Sequence, residues 1–427
     1  MNDRVIFHAD CNGFYASVEL IQYPELWEKP VAVAGSADER HGIILAKNEA
    51  AKKYGVQTAE TVWQAKRKCP GLILLPPHHS EYRKYSNIIN AIYSKYTDRV
   101  EPFGIDESWL DVTGSWQLFG KTPVETATRL KEEVKATTGL TISVGVSFNK
   151  VFAKLGSDLK KPDAVTEVSR QNYQAVIWPL PVGAMLYVGR KASERLKETG
   201  IQTIGQLANA NSQMLEMHLG KQGPQLIRYA AGQDDVPVAF FGETEQPKSI
   251  GNGLTFKRNL VGQKDIRIGV SSLAEEVAFR LRKHGLYAGS LQVLIKDVNL
   301  KSISRQKPLE YATNLSKDLT REAMSLICAN WNLAKPIRML TITAQQLTDS
   351  PFAVQTSLFE QAQNINPKHA QLEQSIDKIR EKYGWTSILK AGGLHNSIGV
   401  ETKAESKENG QEEEEAEKGA EKEKQEE

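Results

Sequence analysis

Three observations predict an α/β protein of several domains. Short apolar runs of strand character alternate with helical spacings through the first 165 residues, a helical stretch punctuated by glycine follows, and a second alternating region lies beyond a Gly- and Pro-bearing connector. At 427 residues the chain exceeds one compact core. It divides into about two to four domains, each able to bury apolar surface without disulfides.

Taken in order, Val5 to Ala9 reads as a strand that stops on Asp10, and Val31 to Ala34 and Ile43 to Ala46 read as two more. Tyr85, Ile88, Ile89, Ile92 and Tyr96 share one helical face. The segment EPFGIDESWLDVTG, 101–114, sets the adjacent carboxylates Asp106 and Glu107 between apolar Ile105 and Trp109, again with strand character. Thr122-Pro123-Val124-Glu125 reads as a capping box with proline at the first helical position, ahead of Ala127, Leu130 and Val134. Ile142, Val144 and Val146 alternate as a strand. From about 168 to 236 the pattern is helical, and FFGETEQPKSIGNG, 240–253, has the composition of a linker. Leu291, Val293 and Ile295 then alternate within a second α/β unit that runs to about 348, and a polar stretch leads into QTSLF.

Composition narrows the function classes. Cys11, Cys69 and Cys328 have no paired spacing, so neither a disulfide framework nor a CxxC zinc site is expected, and a reducing cytoplasm is the natural setting. No apolar run reaches the roughly 20 residues of a membrane span, and the N-terminus lacks a signal pattern. The net charge of +2 hides an asymmetry. Residues 401–427 hold 12 Glu and 5 Lys, net −7, and are expected to be a disordered acidic tail; the remaining 400 residues hold 49 basic and 40 acidic side chains, net +9. A basic body is compatible with a polyanionic partner.

A lone aspartate at a strand end is more often a turn or helix-cap residue, so the weight of Asp10 comes from Asp106 and Glu107. Neighbours on a strand point to opposite faces, and a bend or a shared ion is needed for both to act together. Three or more carboxylates clamping two divalent cations roughly 4 Å apart are the usual device for in-line nucleotidyl transfer, and magnesium suits hard oxygen ligands that also meet phosphates. Convergence of Asp10 with the pair is not visible from spacing.

HADCNGFYASVE together with IDESWLD resembles the two catalytic motifs of the Y-family, or translesion, DNA polymerases, the group that includes bacterial DNA polymerase IV and UmuC. KPVAVAG at 29–35, NEAAKKYGV at 48–56, SVGVSFNKVFAKLGSDLKKP at 143–162 and LYVGRKASERLKETGIQTIGQLA at 186–208 follow in family order. The opening motif and NEAAK resemble the UmuC-like members, and the whole resembles the UvrX-type subgroup. The resemblance implies a right-hand architecture. Its parts are an α+β palm with a ferredoxin-like core (1–13 and 78–167), small fingers (14–77), an all-α helix-hairpin-helix thumb (168–236), a linker (237–247) and an α/β little finger (248–348). A C-terminal segment (349–400) and the tail would follow.

The resemblance also implies roles. Asp10, Asp106 and Glu107 would hold two Mg²⁺ ions with the backbone carbonyl of Cys11; Asp106 would bridge both ions, and Glu107 would lie near the primer 3′ hydroxyl. Asn12 stands where many members have Asp, although UmuC-like members share it. At the incoming nucleotide, Tyr15 aligns with the steric gate against a 2′ hydroxyl, Phe14 beside it keeps a core role, and Lys52 and Lys161 meet the triphosphate. Glu49 replaces a tyrosine used by several members, and Ile43 and Leu45 would make a bulkier roof with less tolerance of large template adducts. Gly189 and Arg190 in the hairpin, and Lys257, Arg258, Lys296, Lys301, Arg305 and Lys307 beyond the linker, would grip DNA backbone. QTSLF resembles the peptide that docks on the β sliding clamp, with Gln355, Ser357, Leu358 and Phe359 as its contacts.

The expected protein is thus a monomeric, template-directed DNA polymerase of low fidelity without proofreading, acting on primer–template DNA and deoxynucleoside triphosphates in the DNA damage response. Two other classes compete. A catalytically silent, clamp-tethered DNA-binding subunit need not keep all three acids, and a nucleotidyl cyclase has no use for a hairpin or a clamp peptide.

Overall fold

The computed structural model describes residues 4–35, 42–243, 246–350, 367–390 and 397–400. Two compact units divide the chain after residue 244. QTSLF and the acidic tail lie outside the described residues.

The first unit opens with β1 (Ile6–Cys11), α1 (Phe14–Ile21), β2 (Val31–Ala34), β3 (Ile44–Lys47), α2 (Glu49–Lys53), α3 (Val62–Lys68) and β4 (Ile73–Leu75). It continues with α4 (His79–Tyr93), β5 (Val100–Pro102), β6 (Glu107–Asp111), α5 (Pro123–Thr138), β7 (Ile142–Ser147), α6 (Lys150–Leu159) and β8 (Val165–Val168). The helices α7 (Tyr173–Val176), α8 (Arg190–Glu198), α9 (Ile204–Ala208), α10 (Ser212–Leu219) and α11 (Gln222–Ala230) complete it.

One sheet runs β5-β6-β1-β7-β8, with β1 antiparallel to both of its neighbours. Strand periodicity sorts the side chains of β1. Phe7, Ala9 and Cys11 join the core under α4 and α5, while Ile6 packs with Trp109 and Ala153 on the other face, under α6. His8 and Asp10 share that second face by alternation. A smaller sheet, β3-β2-β4, has its own core with Ala51 and Val62, and the helices from α7 to α11 bury another around Ile204 and Leu226.

Gly145 on β7 explains how close α6 can come. A Cβ there would stand 1.9 Å from the Ala153 carbonyl oxygen and 2.5 Å from the Ser157 nitrogen, so only glycine admits the helix backbone. Trp109 supports the same helix: it is 1 % exposed and its Nε1 donates to the Lys150 carbonyl at 3.1 Å. Burying a ring of that size contributes about 3 kcal/mol.

The second unit comprises β9 (Ser249–Leu260), α12 (Gly262–Lys283), β10 (Tyr287–Asp297), β11 (Ser302–Thr313), α13 (Ser316–Asn330), β12 (Ile337–Thr348) and α14 (Pro367–Tyr383). Its sheet order is β11-β10-β12-β9, and α12 and α13 bury one face through Leu273, Val277, Leu319 and Ile327.

Four local expectations are revised. The first strand does not stop on Asp10 but runs one residue further to Cys11, because Asp10 and Cys11 find partners on the adjoining strands. Thr122 caps α5 through the Glu125 N–H, yet the Glu125 carboxylate accepts from the Lys121 N–H at 2.7 Å, so the box is half formed. The expected linker is packed at its start: Val238 is buried, the Ala239 N–H donates to Glu101 and the Phe241 N–H donates to the Asp98 carbonyl. Beyond QTSLF, α14 forms within what was expected only as a C-terminal segment, and it docks through Arg282, which donates to Asp377 at 2.6 and 2.9 Å and also to Glu373.

Candidate active site

The register of β1 against β6 sets Asp10 directly opposite Glu107, and opposed residues of an antiparallel pair share a face. Asp106 precedes β6, in a bend, and its carbonyl accepts from the Cys11 N–H at 2.9 Å. The bend turns Asp106 into the cleft that Asp10 and Glu107 line, which answers how neighbouring carboxylates can act together. That cleft, of about 510 Å³, is also lined by Cys11, Phe14, Tyr15, Leu45, Glu49, Lys52 and Lys161.

Two ammonium groups stand among the acids. Lys154, from α6, reaches Asp10 Oδ2 at 2.8 Å and Glu107 Oε2 at 2.6 Å. Lys161 reaches Asp10 Oδ1 at 2.7 Å and Asp158 at 2.9 Å. Burial alone would raise the Glu107 carboxyl, but His8 and Lys154 reverse this and hold it at about 2. Among the described residues Asp106 has no ion-pair partner, and burial, followed by the Asp10 and Glu107 charges, pushes its pKa up. Beneath the site His8 is fully buried, with Nδ1 2.9 Å from Ser157 Oγ and Nε2 3.3 Å from Glu107 Oε2. Burial lowers its pKa. His8 Nε2 lies with Asp10 and Glu107 oxygens within 4.8 Å of one another.

Known proteins match the sequence along the chain. A model described as the impB/mucB/samB family covers residues 9–158, and the C-terminal domain of the same family covers 247–358. Residues 1–427 include 389 that are 46 % identical to DNA polymerase IV of Acetivibrio thermocellus, spanning 91 % of this chain and 96 % of that protein. The chain belongs to the Y family of DNA polymerases. DNA polymerase IV 1 of Bacillus subtilis is 37 % identical over 94 % of this chain and 96 % of its own length. A solved Y-family DNA polymerase chimera, 24 % identical, superposes with a TM-score of 0.71 over 81 % of this chain and all of that one, showing the same fold.

Within this Y-family chain the other expected residues fall as follows. Tyr15 faces the cleft, and its ring is tilted against Phe14, which is 3 % exposed in the palm core. Lys52 is exposed and pairs with Glu49 at 3.2 Å, so Glu49 holds a cation expected at the triphosphate. Leu45 lines the cleft; Ile43 is not among its lining residues and forms a bridge with Thr61. The Asn12 amide donates to Ser143 Oγ and accepts from Thr141 Oγ1 and the Asp163 N–H, tying β1 to β7.

Gly189 caps α8, Arg190 begins it, and the Arg190 side chain is 87 % exposed. In the second unit Lys301 is exposed in the turn before β11. Lys257 lies on β9, where its N–H donates to the Ile398 carbonyl. Arg258 donates to Asp265 with both Nη atoms and to Ser397 through Nε. Arg305 lies opposite Val293 and Lys307 opposite Leu291, on the face that the helices cover; they reach Asn330 and Glu322 of α13. Lys296 alternates to the open face.

Sequence reasoning missed Lys154 and His8. Lysine on a helix ordinarily reads as solvated charge. The available signal was its place four residues after Lys150 in a segment that already held Lys161. Lys47, which lines the cleft from β3, was missed too.

Proposed function

We infer that this polymerase extends a primer 3′ end under template direction through two Mg²⁺ ions held by Asp10, Asp106, Glu107 and the Cys11 carbonyl. The observation that carries the reading is the direct pairing of Asp10 with Glu107 across β1 and β6, with Asp106 turned into the same cleft. The donor set fits a hard divalent cation, since carboxylate oxygens converge where the Lys154 and Lys161 ammonium groups already bring positive charge. When bound, the ions supply Lewis acidity, lowering the pKa of the primer hydroxyl and offsetting charge on the departing pyrophosphate.

The chain's own groups do the positioning. Lys161 and Lys52 would exchange their carboxylate partners for the triphosphate, and Tyr15 would close the space beneath the sugar C2′. Gly189, Arg190, Lys257, Arg258, Lys301 and Arg305 are proposed to hold DNA backbone; for Arg190, Arg258 and Arg305 that contact would replace Glu194, Asp265 and Asn330. The work is translesion synthesis of low fidelity, without proofreading, by a cytoplasmic monomer of UvrX type. Docking on the β clamp is proposed for Gln355, Ser357, Leu358 and Phe359 from their sequence, since they lie outside the described residues.

Primer extension by purified protein with Mg²⁺ and deoxynucleotides, beside Glu107→Ala, tests the reading. Extension that disappears in the variant supports it. Tight primer–template binding without extension by the parent returns the silent-subunit alternative.

A further inference from the structure

Tyr15 does not stand alone at the edge of the cleft. Its ring lies against Tyr82 with centroids 4.0 Å apart and planes 10° apart, and His79 meets the two rings edge-on at 5.9 and 5.5 Å. Tyr82 is fully buried in the first turn of α4, and its hydroxyl donates to Oε1 of Glu19 on α1. Glu19 is 2 % exposed. The same carboxylate accepts from the His78 N–H at 3.0 Å and meets His78 Nδ1 at 2.9 Å. Since Tyr15 and Glu19 are four residues apart on α1, one helical face carries both the gate and the anchor of its stacking partner.

We propose that Glu19 is a positioning residue for sugar discrimination, holding Tyr82, and through it Tyr15, where a 2′ hydroxyl would clash. A steric gate discriminates only as far as displacing it costs free energy, and a ring able to tilt aside admits the larger sugar. Stacking on a ring that is itself pinned by a buried carboxylate raises that cost. Glu19 is not among the residues lining the cleft and acts through the two rings. The inference rests on reading Tyr15 as the gate, and the experiment separates the two.

Single-turnover incorporation of a deoxynucleotide and the matching ribonucleotide is compared for the parent, Glu19→Gln, Tyr82→Phe, Tyr15→Ala and each of the first two combined with Tyr15→Ala. Glu19→Gln turns an amide donor toward donors; Tyr82→Phe removes only the hydroxyl and serves if the first variant fails to fold. Both are expected to lower the deoxy-to-ribo efficiency ratio about tenfold. The maximal deoxynucleotide rate should stay within about twofold, and neither change should add to Tyr15→Ala. Parental selectivity in both variants, with Tyr15→Ala admitting ribonucleotides, overturns the proposal. So does an undiminished effect in the Tyr15→Ala background. A Tyr15→Ala enzyme that still rejects ribonucleotides removes the gate reading and this inference with it.

Discussion

Lys154 places its ammonium 2.6 Å from the Glu107 carboxylate, and the same group bridges to Asp10 at 2.8 Å. Burial would ordinarily lower a lysine; Asp10 first, and then Glu107, instead raise this one, so the charge stays in place. A cation entering the site competes with it. Lys154→Met should therefore bind Mn²⁺ about tenfold more tightly without nucleotide, the loss of one nearby like charge. Titration followed by electron paramagnetic resonance reads this directly, and unchanged or weaker affinity would reject the competition.

Gly145 pairs with His8 in the sheet and lets α6 lie against β7. Any side chain there meets helix backbone, which cannot rotate away. Gly145→Ala should cost about 3 kcal/mol and lower the melting temperature by about 10 °C, because overpacking against main chain moves the element. Calorimetry showing a shift under a few degrees would mean that α6 can lift without penalty.

Asp163 follows Pro162 and binds two lysines of α5, Lys131 at 2.7 Å and Lys135 at 2.9 Å. Burial works against its charge, but these ammonium groups prevail and hold its pKa below the ordinary value. A depressed carboxylate contributes stability that is present above the unfolded value of about 3.9 and is lost as pH falls through the folded one. Asp163→Asn should therefore melt earlier than the parent at pH 7, with the gap closing toward pH 3. A gap that persists at low pH would assign the effect to something other than this charge.

Arg258 and Lys301 allow a test of which charges meet DNA. Arg258 is held by Asp265 and Ser397 inside its own unit, whereas Lys301 is exposed in a turn. Lys301→Ala should reduce the salt slope of primer–template binding by about one, while Arg258→Ala should reduce it by less and lower stability by about 1 kcal/mol. Fluorescence anisotropy across ionic strengths decides; an unchanged slope for Arg258→Ala would take that residue off the DNA.

Much of the site was legible because its residues sit in short, collinear motifs: Asp10 after an apolar run, Asp106 and Glu107 inside another, Lys161 before Pro162. Strand and helix positions were readable for a similar reason, since alternation in Ile142, Val144 and Val146 and capping by Thr122 are local properties. The helix α14 was readable as well, in the spacing of Leu372, Ile376, Ile379 and Tyr383, but the polar residues around them masked it. His8 carried no local signal, and Lys154 only its spacing from Lys150 and Lys161. A helical lysine and a strand histidine become functional only through what faces them.

By itself the sequence determined the chemical inventory: the acids Asp10, Asp106 and Glu107, the lysines Lys52 and Lys161, the aromatic Tyr15 and a basic body with an acidic tail. Tertiary structure alone decided which of these meet. The order β6-β1-β7 brings residues nearly a hundred positions apart into one pair, and a glycine on β7 admits the helix that lays Lys154 across it. The physical reason is that alternation and capping act over a few residues, whereas register and close packing are settled by the whole sheet at once.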